Sequence, residues 1–329
     1  MLAVVKANAY GHGLVPTALT LSEADAFAVA RLDEALILRS AGIHKTIVLL
    51  EGVFEHQQLL EAARHGFEIV VHEESQIALL EAFDQAHRFV IWIKIDTGMN
   101  RLGFRPSDFR AAYQRITQLR SPPLEIRLMT HLARADERDD EMNAMQVARF
   151  NEAIKGLPVH ATSIANSAGI LGGRIRCEWV RPGLALYGAS PFAGRQAAEL
   201  GLQPAMTLQT IAIATRKVPA GETVGYGGAW KAPRDSVIAI VAAGYGDGLL
   251  RSLDSGTPVL VDGQRASLVG RVSMDMVALD VTHLPQVRAG AQVTLWGAGL
   301  PVEEIAEHAG TIPYELLCGV RQRVPHELR

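Results

Sequence analysis

Apolar and β-branched residues come in short runs along the first part of the chain. Eight of them, at residues 2–7, 25–30, 46–51, 67–72, 89–96, 124–132, 160–166 and 179–188, have the near-continuous hydrophobicity of strands buried on both faces. Between most of these runs, apolar positions recur at helical spacing. Segment 106–120 puts Phe109, Ala112, Tyr113, Ile116 and Leu119 on one face, with Pro106 in its first turn. Segment 33–41 opens on Asp33 and stops at Gly42, 54–65 carries Leu59, Leu60 and Ala63 and stops at Gly66, and 140–155 carries Val147, Phe150 and Ile154 and stops at Gly156. The connection after Asn166 is short and glycine-rich, so the pattern is weaker there. Eight strands alternating with helices predict an α/β fold, a (β/α)8 TIM-like barrel. The barrel is preferred over an open doubly wound sheet because eight strands is a closing number.

The texture changes near Pro204. Strand-like runs follow at 206–218, 236–243, 257–261, 266–272, 277–281 and 292–296, with a hairpin signal at Asp262-Gly263. Short helices are expected at 302–308 and 314–320. The chain therefore reads as two domains, residues 1–204 and a mainly β domain at 205–329.

Composition narrows the function classes. The chain has 329 residues, 48% of them apolar, which is ample for packed cores. Lys and Arg number 32 against 35 Asp and Glu, so no basic excess suggests a nucleic-acid partner. The apolar stretch 236–246 is far short of the roughly 20 residues that span a bilayer, so no membrane partner is expected. Cys177 and Cys318 make no disulfide framework, and Lys6 interrupts the apolar run at the start, so the cytoplasm is the expected compartment.

A (β/α)8 barrel carries its active site at the C-terminal ends of its strands. That rule selects Lys6, Lys94 with Asp96, His131, Asn166 with Ser167, and Arg181. Lys6 reads either as a strand-end residue snorkelling to solvent or as an amine whose depressed pKa suits nucleophilic use. His131 alone reads more simply as a satisfied core histidine. Arg181 must find an anion or acceptors, because a guanidinium stays charged. In the second domain Tyr226 and Tyr245 each sit among glycines, which by themselves read as ordinary turns. No Walker A loop, dinucleotide fingerprint, paired-cysteine metal site or helical His-Glu-x-x-His is present, and no metal is expected.

The segment Val5-Lys6-Ala7-Asn8-Ala9-Tyr10-Gly11-His12-Gly13 resembles the pyridoxal 5′-phosphate (PLP) attachment segment of bacterial alanine racemases. The similarity continues in order at Asp96-Thr97-Gly98-Met99-Asn100-Arg101, Thr130-His131, Ala165-Asn166-Ser167 and Arg181-Pro182-Gly183-Leu184. It extends through Gly225-Tyr226-Gly227-Gly228, Gly244-Tyr245-Gly246-Asp247-Gly248 and Val272-Ser273-Met274-Asp275. The resemblance implies a PLP-dependent isomerase acting on alanine to supply D-alanine for peptidoglycan. It implies a homodimer in which Lys6 bears the cofactor and handles the proton of D-alanine. Tyr226 of the other subunit handles that of L-alanine. Arg181 would face the cofactor's pyridine nitrogen with His131 behind it. Tyr10, Asn166, Ser167, Gly183 and Leu184 would lie at the cofactor, and Arg101, Tyr245, Met274 and Asp275 at the substrate. Lys94 matches a lysine that in many members carries a carbamate.

Two departures stand out. Gln322 lies where some members place a phosphate-binding tyrosine. Only five residues precede Lys6, where relatives usually have a further strand and helix. The expectation is an intact site on a scaffold with weakened stability and dimer contacts. The alternatives are a PLP-binding protein with little turnover, a racemase of broader range or a related decarboxylase, and, remotely, a metal hydrolase using Asp96, His131 and His160.

Overall fold

The computed structural model describes residues 1–328. They cluster into two compact units: Met1–Ala9 with Gly13–Leu186, and Tyr10–His12 with the chain from Tyr187 onward.

The first unit is built on parallel strands. β1 (Leu2–Val4), β2 (Ala26–Val29), β3 (Thr46–Leu49), β4 (Glu68–Val71), β5 (Val90–Lys94), β6 (Glu125–Met129) and β7 (Ala161–Ser163) follow one another in a single sheet in chain order. The eighth expected run closes it. Trp179 and Arg181 donate backbone N–H bonds to Thr162 and Ala165 at 3.0 and 2.8 Å, while Leu2 and Val4 donate to Val180 and Pro182, both at 2.9 Å. This last stave is too short to be a regular strand. Pro182 has no N–H to extend the ladder. The expected continuation to Gly188 is instead a 3-10 helix, Leu184–Tyr187.

Helices α3 (Leu32–Ser40), α4 (His56–His65), α6 (Pro106–Thr117) and α7 (Glu141–Ile154) lie where the periodicity puts them. The Asp140 side chain caps α7 by accepting the Met142 N–H at 2.8 Å. The short α8 (Ser167–Gly172) is capped by Asn166, which accepts the Gly169 N–H at 3.0 Å. Two further helices, α2 (Leu14–Thr20) and α5 (Glu74–Glu81), complete the alternation.

The N-terminal halves of the strands enclose an ionic cluster. The Arg127 guanidinium donates to Glu68 at 3.0 Å and Glu125 at 2.6 Å. It also lies over the rings of Trp92 and Trp179, 5.1 and 5.0 Å from their centroids. Trp92 Nε1–H donates to Glu68 at 2.6 Å. These bonds satisfy the buried charges at one end and leave the opposite strand ends for chemistry.

The second unit is a closed antiparallel barrel in the order β11-β14-β13-β12-β15-β8. Its strands are β8 (Leu208–Val218), β11 (Ser236–Val241), β12 (Pro258–Val261), β13 (Gln264–Val269), β14 (Val277–Asp280) and β15 (Gln292–Trp296). The β12–β13 turn has Asp262 and Gly263 at φ 48° and 78°, the left-handed pair of a tight hairpin. A ribbon of β9 (Thr223–Val224) and β10 (Trp230–Lys231) projects from it, anchored by Val224 and Trp230 against Val218, Ala232, Ile238 and Val269. Helices α9 (Val302–His308) and α10 (Pro313–Gly319) follow. Among the described residues no helix is long and apolar enough to cross a membrane.

Candidate active site

Lys6 stands half-buried where β1 ends. The chain then enters a helical turn, α1 (Lys6–Tyr10), of the wrong hand. Ala7, Asn8, Ala9 and Tyr10 have φ of 54°, 55°, 54° and 52°. Left-handed helix costs L-residues roughly 1–2 kcal/mol each, so a run of this length must be held from outside. Ala9 N–H bonds Val5 O at 2.8 Å, Gly13 N–H bonds Asn8 O at 3.0 Å, and Leu14 N–H bonds Asn8 Oδ1 at 2.9 Å. Glu34, in the first turn of α3, accepts the Ala7 N–H at 2.6 Å with one oxygen. It accepts the Ala30 and Arg31 N–H groups at 2.8 and 3.3 Å with the other.

Lys94 ends β5. Burial, with Arg101, Arg181 and Lys6 as neighbouring cations, lowers its pKa to about 8, against a smaller raising effect of Asp96. Asp96 itself is engaged by its own loop, accepting the N–H groups of Gly98, Asn100 and Arg101 at 2.9, 3.0 and 3.1 Å. The loop ends are tied by Asp96 N–H to Phe104 O at 2.8 Å and Phe104 N–H to Lys94 O at 2.9 Å. Gly103, at φ 127°, allows that approach, because a Cβ there would lie 2.7 Å from the Asp96 nitrogen. Arg101 is thereby presented on a closed, exposed loop.

Arg181 is buried at 5% exposure. Its guanidinium donates to Ser163 Oγ at 2.6 Å, Thr130 O at 2.7 Å, Ile164 O at 3.2 Å and His131 Nδ1 at 3.4 Å. Desolvation lowers its pKa to about 10, so it remains a cation at neutral pH. Burial first, then the charges of Arg181, Lys94, Arg101 and Lys6, depress His131 to about 2. A neutral His131 accepting from Arg181 at Nδ1 carries its proton on Nε2. Gln146, buried on α7, fixes both loops: its amide donates to His131 O at 3.1 Å and Thr97 Oγ1 at 3.3 Å, and accepts the Ala133 N–H at 2.9 Å. At the next strand ends, Ser167 Oγ accepts the Gly183 and Ala185 N–H groups at 2.9 and 3.2 Å, next to fully buried Leu184.

The second unit holds the other candidates. The Tyr10 and Tyr187 rings stack at 4.8 Å, and Tyr10 meets Tyr314 at 5.8 Å. Burial, with Tyr314 and Cys318 beside it, pushes the Tyr10 phenol well above the usual tyrosine range. Tyr226 is 68% exposed on the 3-10 turn Tyr226–Gly228 between β9 and β10. Tyr245 and Met274 lie on two loops knitted together, with Tyr245 N–H to Ser273 O at 3.0 Å and Gly246 N–H to Met274 O at 2.8 Å. Arg323 clamps the same loops, bonding Asp247 at 2.7 and 2.9 Å and Asp275 at 2.7 Å.

With this geometry in hand, comparison with known proteins decides the family. Residues 1–191 match the family model for the alanine racemase N-terminal domain, and residues 205–328 match that for the C-terminal domain. The chain belongs to the alanine racemase family. A catabolic alanine racemase of Pseudomonas putida is 48% identical over 329 residues, covering 99% of this chain and 91% of that one. The crystal structure of biosynthetic alanine racemase from Pseudomonas aeruginosa superposes with a TM-score of 0.95 at 44% identity, covering 98% of this chain and 90% of its own. The alanine racemase of Bartonella henselae, solved with covalently bound pyridoxal phosphate, gives a TM-score of 0.88 at 31% identity, covering 98% and 90% of the two chains.

The structure groups Lys6, Lys94, Arg101, His131 and Arg181 electrostatically in the first unit of this alanine racemase family member. It does not bring His160 to Asp96 and His131. His160 precedes β7 and bonds the Ile126 backbone, whereas the other two follow their strands. Gln322 is exposed. Besides Tyr187, Tyr10 meets the ring of Tyr314, which sequence reasoning passed over. Its position in the first turn of α10 marks it as helix surface, and only the fold shows the ring contact. Glu34 and Gln146 were also passed over, since each is an ordinary helix residue until its backbone partners are known.

Proposed function

We propose that this chain is a PLP-dependent alanine racemase, working in the cytoplasm as a homodimer and supplying D-alanine for peptidoglycan. The observation that carries the reading is Arg181: a buried cation whose partners are a hydroxyl, two carbonyls and an imidazole, none of them anionic. With Lys6, Lys94 and Arg101 nearby, the strand ends are rich in positive charge. An anionic cofactor bearing a ring nitrogen fits this donor set. Lys6 would hold PLP covalently, and Arg181, supported by neutral His131, would donate to the ring nitrogen. Tyr10, Ser167, Gly183 and Leu184 would hold its phosphate end, with Asn166 also at the cofactor.

When bound, PLP draws electrons from the substrate Cα and so acidifies its hydrogen. With its amine freed when the substrate amine takes its place, Lys6 Nζ would take or return a proton on one face of Cα, the face of D-alanine's hydrogen. Tyr226 Oη from a second copy does so on the opposite face. Removal on one side and delivery on the other inverts the centre. Arg181, which can only donate, withholds a proton from the ring nitrogen and keeps negative charge at Cα short-lived. Arg101 meets the substrate carboxylate, with Met274 and Asp275 of the second copy closing that side and Tyr245 lining the approach. Lys94, with its pKa lowered to about 8, has an appreciable neutral fraction. Carbon dioxide added to that amine, with loss of a proton, would leave a carbamate anion to orient Arg101.

The test is racemisation of L- and D-alanine by the PLP-reconstituted protein. Lys6→Ala should abolish it. Tyr226→Phe should lower racemisation at least a hundredfold, to order of magnitude for loss of an acid–base group, while D-alanine still exchanges its Cα hydrogen with deuterated solvent. Racemisation that survives Lys6→Ala overturns the reading.

A further inference from the structure

We propose that Glu34 is a positioning residue that sets the orientation of Lys6, an assignment that rests on reading Lys6 as the base. The peptide bond after Lys6 is held from outside β1. Its N–H belongs to Ala7 and donates to Glu34 Oε1 at 2.6 Å. Fixing that N–H fixes ψ of Lys6, and with it the direction in which the strand ends and the side chain leaves. The other Glu34 oxygen accepts the Ala30 and Arg31 N–H groups at 2.8 and 3.3 Å, just past β2, the strand paired to β1. One carboxylate thus ties the end of β1 to the end of its neighbour.

The tie is needed because the chain beyond it is strained. Four consecutive non-glycine residues, from Ala7 to Tyr10, hold left-handed φ. The bonds from Ala9 to Val5, from Gly13 to Asn8 and from Leu14 to Asn8 close the turn on itself. Glu34 reaches it from α3, 27 residues away, and so sets where the turn sits on the barrel. An ionised carboxylate also suits the task, since it can only accept and faces three donors.

Glu34→Gln keeps the shape but turns an NH2 toward backbone N–H groups. Glu34→Asp keeps the charge and shortens the reach. In the protein without added cofactor, Glu34→Gln should speed amide hydrogen exchange at Ala7, Ala30 and Arg31 at least tenfold more than at β4 and β5 amides. In the PLP-loaded enzyme it should lower kcat at least tenfold with KM for alanine within about twofold. Glu34→Asp should recover part of both. Acceleration spread evenly over the unit, or wild-type kcat in Glu34→Gln, overturns the assignment. If the wild-type protein fails to racemise alanine at all, the functional reading falls, whereas the exchange at Ala7 still decides whether Glu34 holds the turn.

Discussion

His131 cannot take up a proton where it sits, and that makes it useful. Burial and the Arg181 charge hold its pKa near 2, so it stays an acceptor for the guanidinium at any pH the protein meets. The consequence for stability has a definite sign. In the unfolded chain the imidazole titrates near 6.5, so between about 6.5 and 2 the unfolded state binds the extra proton. The folded state therefore loses stability as pH falls below 6.5, by about 1.4 kcal/mol per pH unit and about 2 kcal/mol by pH 5. His131→Gln should flatten this slope: urea denaturation of the protein without added cofactor at pH 6.5 and pH 5 should show a smaller difference in the variant than in wild type. Equal differences would mean that His131 is not held neutral. None of this was legible from His131 in the sequence, where an isolated histidine in an apolar run reads as core. Its state is set first by burial and then by charges carried at the ends of other strands.

The elements that were legible are those whose signal is local. Strands buried on both faces announce themselves as apolar runs, and Asp262-Gly263 announces its hairpin because both residues tolerate left-handed φ. The helices left unread are short. α2 carries Pro16 and β-branched Val15 and Thr17, and α5 has only eight residues in which to show a period. The left-handed turn after Lys6 has no sequence signature, because alanine gives no hint of positive φ. The loop after β5 lies between these cases: its glycines were visible, but which of them is indispensable was not. Gly103→Ala should place Cβ 2.7 Å from the Asp96 nitrogen at a φ of 127°. It is expected to cost roughly 1–3 kcal/mol or more and to displace Arg101, raising KM for alanine. Gly42, also left-handed at φ 80° but with nothing within 4 Å of an added Cβ, provides the contrast. Gly42→Ala should cost only about 1 kcal/mol and leave KM unchanged. Thermal melting with steady-state kinetics on both variants checks the pair, and similar effects from the two would show that crowding at Gly103 is unimportant.

At the scale of the whole molecule, the two proposed acid–base residues lie in different compact units, Lys6 in the first and Tyr226 in the second. Tyr226 is 68% exposed at the tip of its ribbon and has no role in the core of its own unit. A side chain so placed is available to a second copy, and in a symmetric dimer each copy would complete the other's site. That arrangement has a consequence a self-contained site lacks. Lys6→Ala and Tyr226→Phe should each be inactive as homodimers. In a heterodimer of the two, one site combines both lesions and the other combines both intact residues. Random reassociation makes about half of the dimers heterodimers, so about a quarter of all sites should regain wild-type chemistry. If Tyr226 serves the Lys6 of its own chain, every site in the mixture carries one lesion and nothing is regained. Mixing the variants under conditions that allow subunit exchange, restoring PLP and measuring racemisation separates the two arrangements. Sedimentation analysis of the same mixture confirms that exchange occurred, so absence of recovery in an exchanged dimer would refute a site shared between subunits.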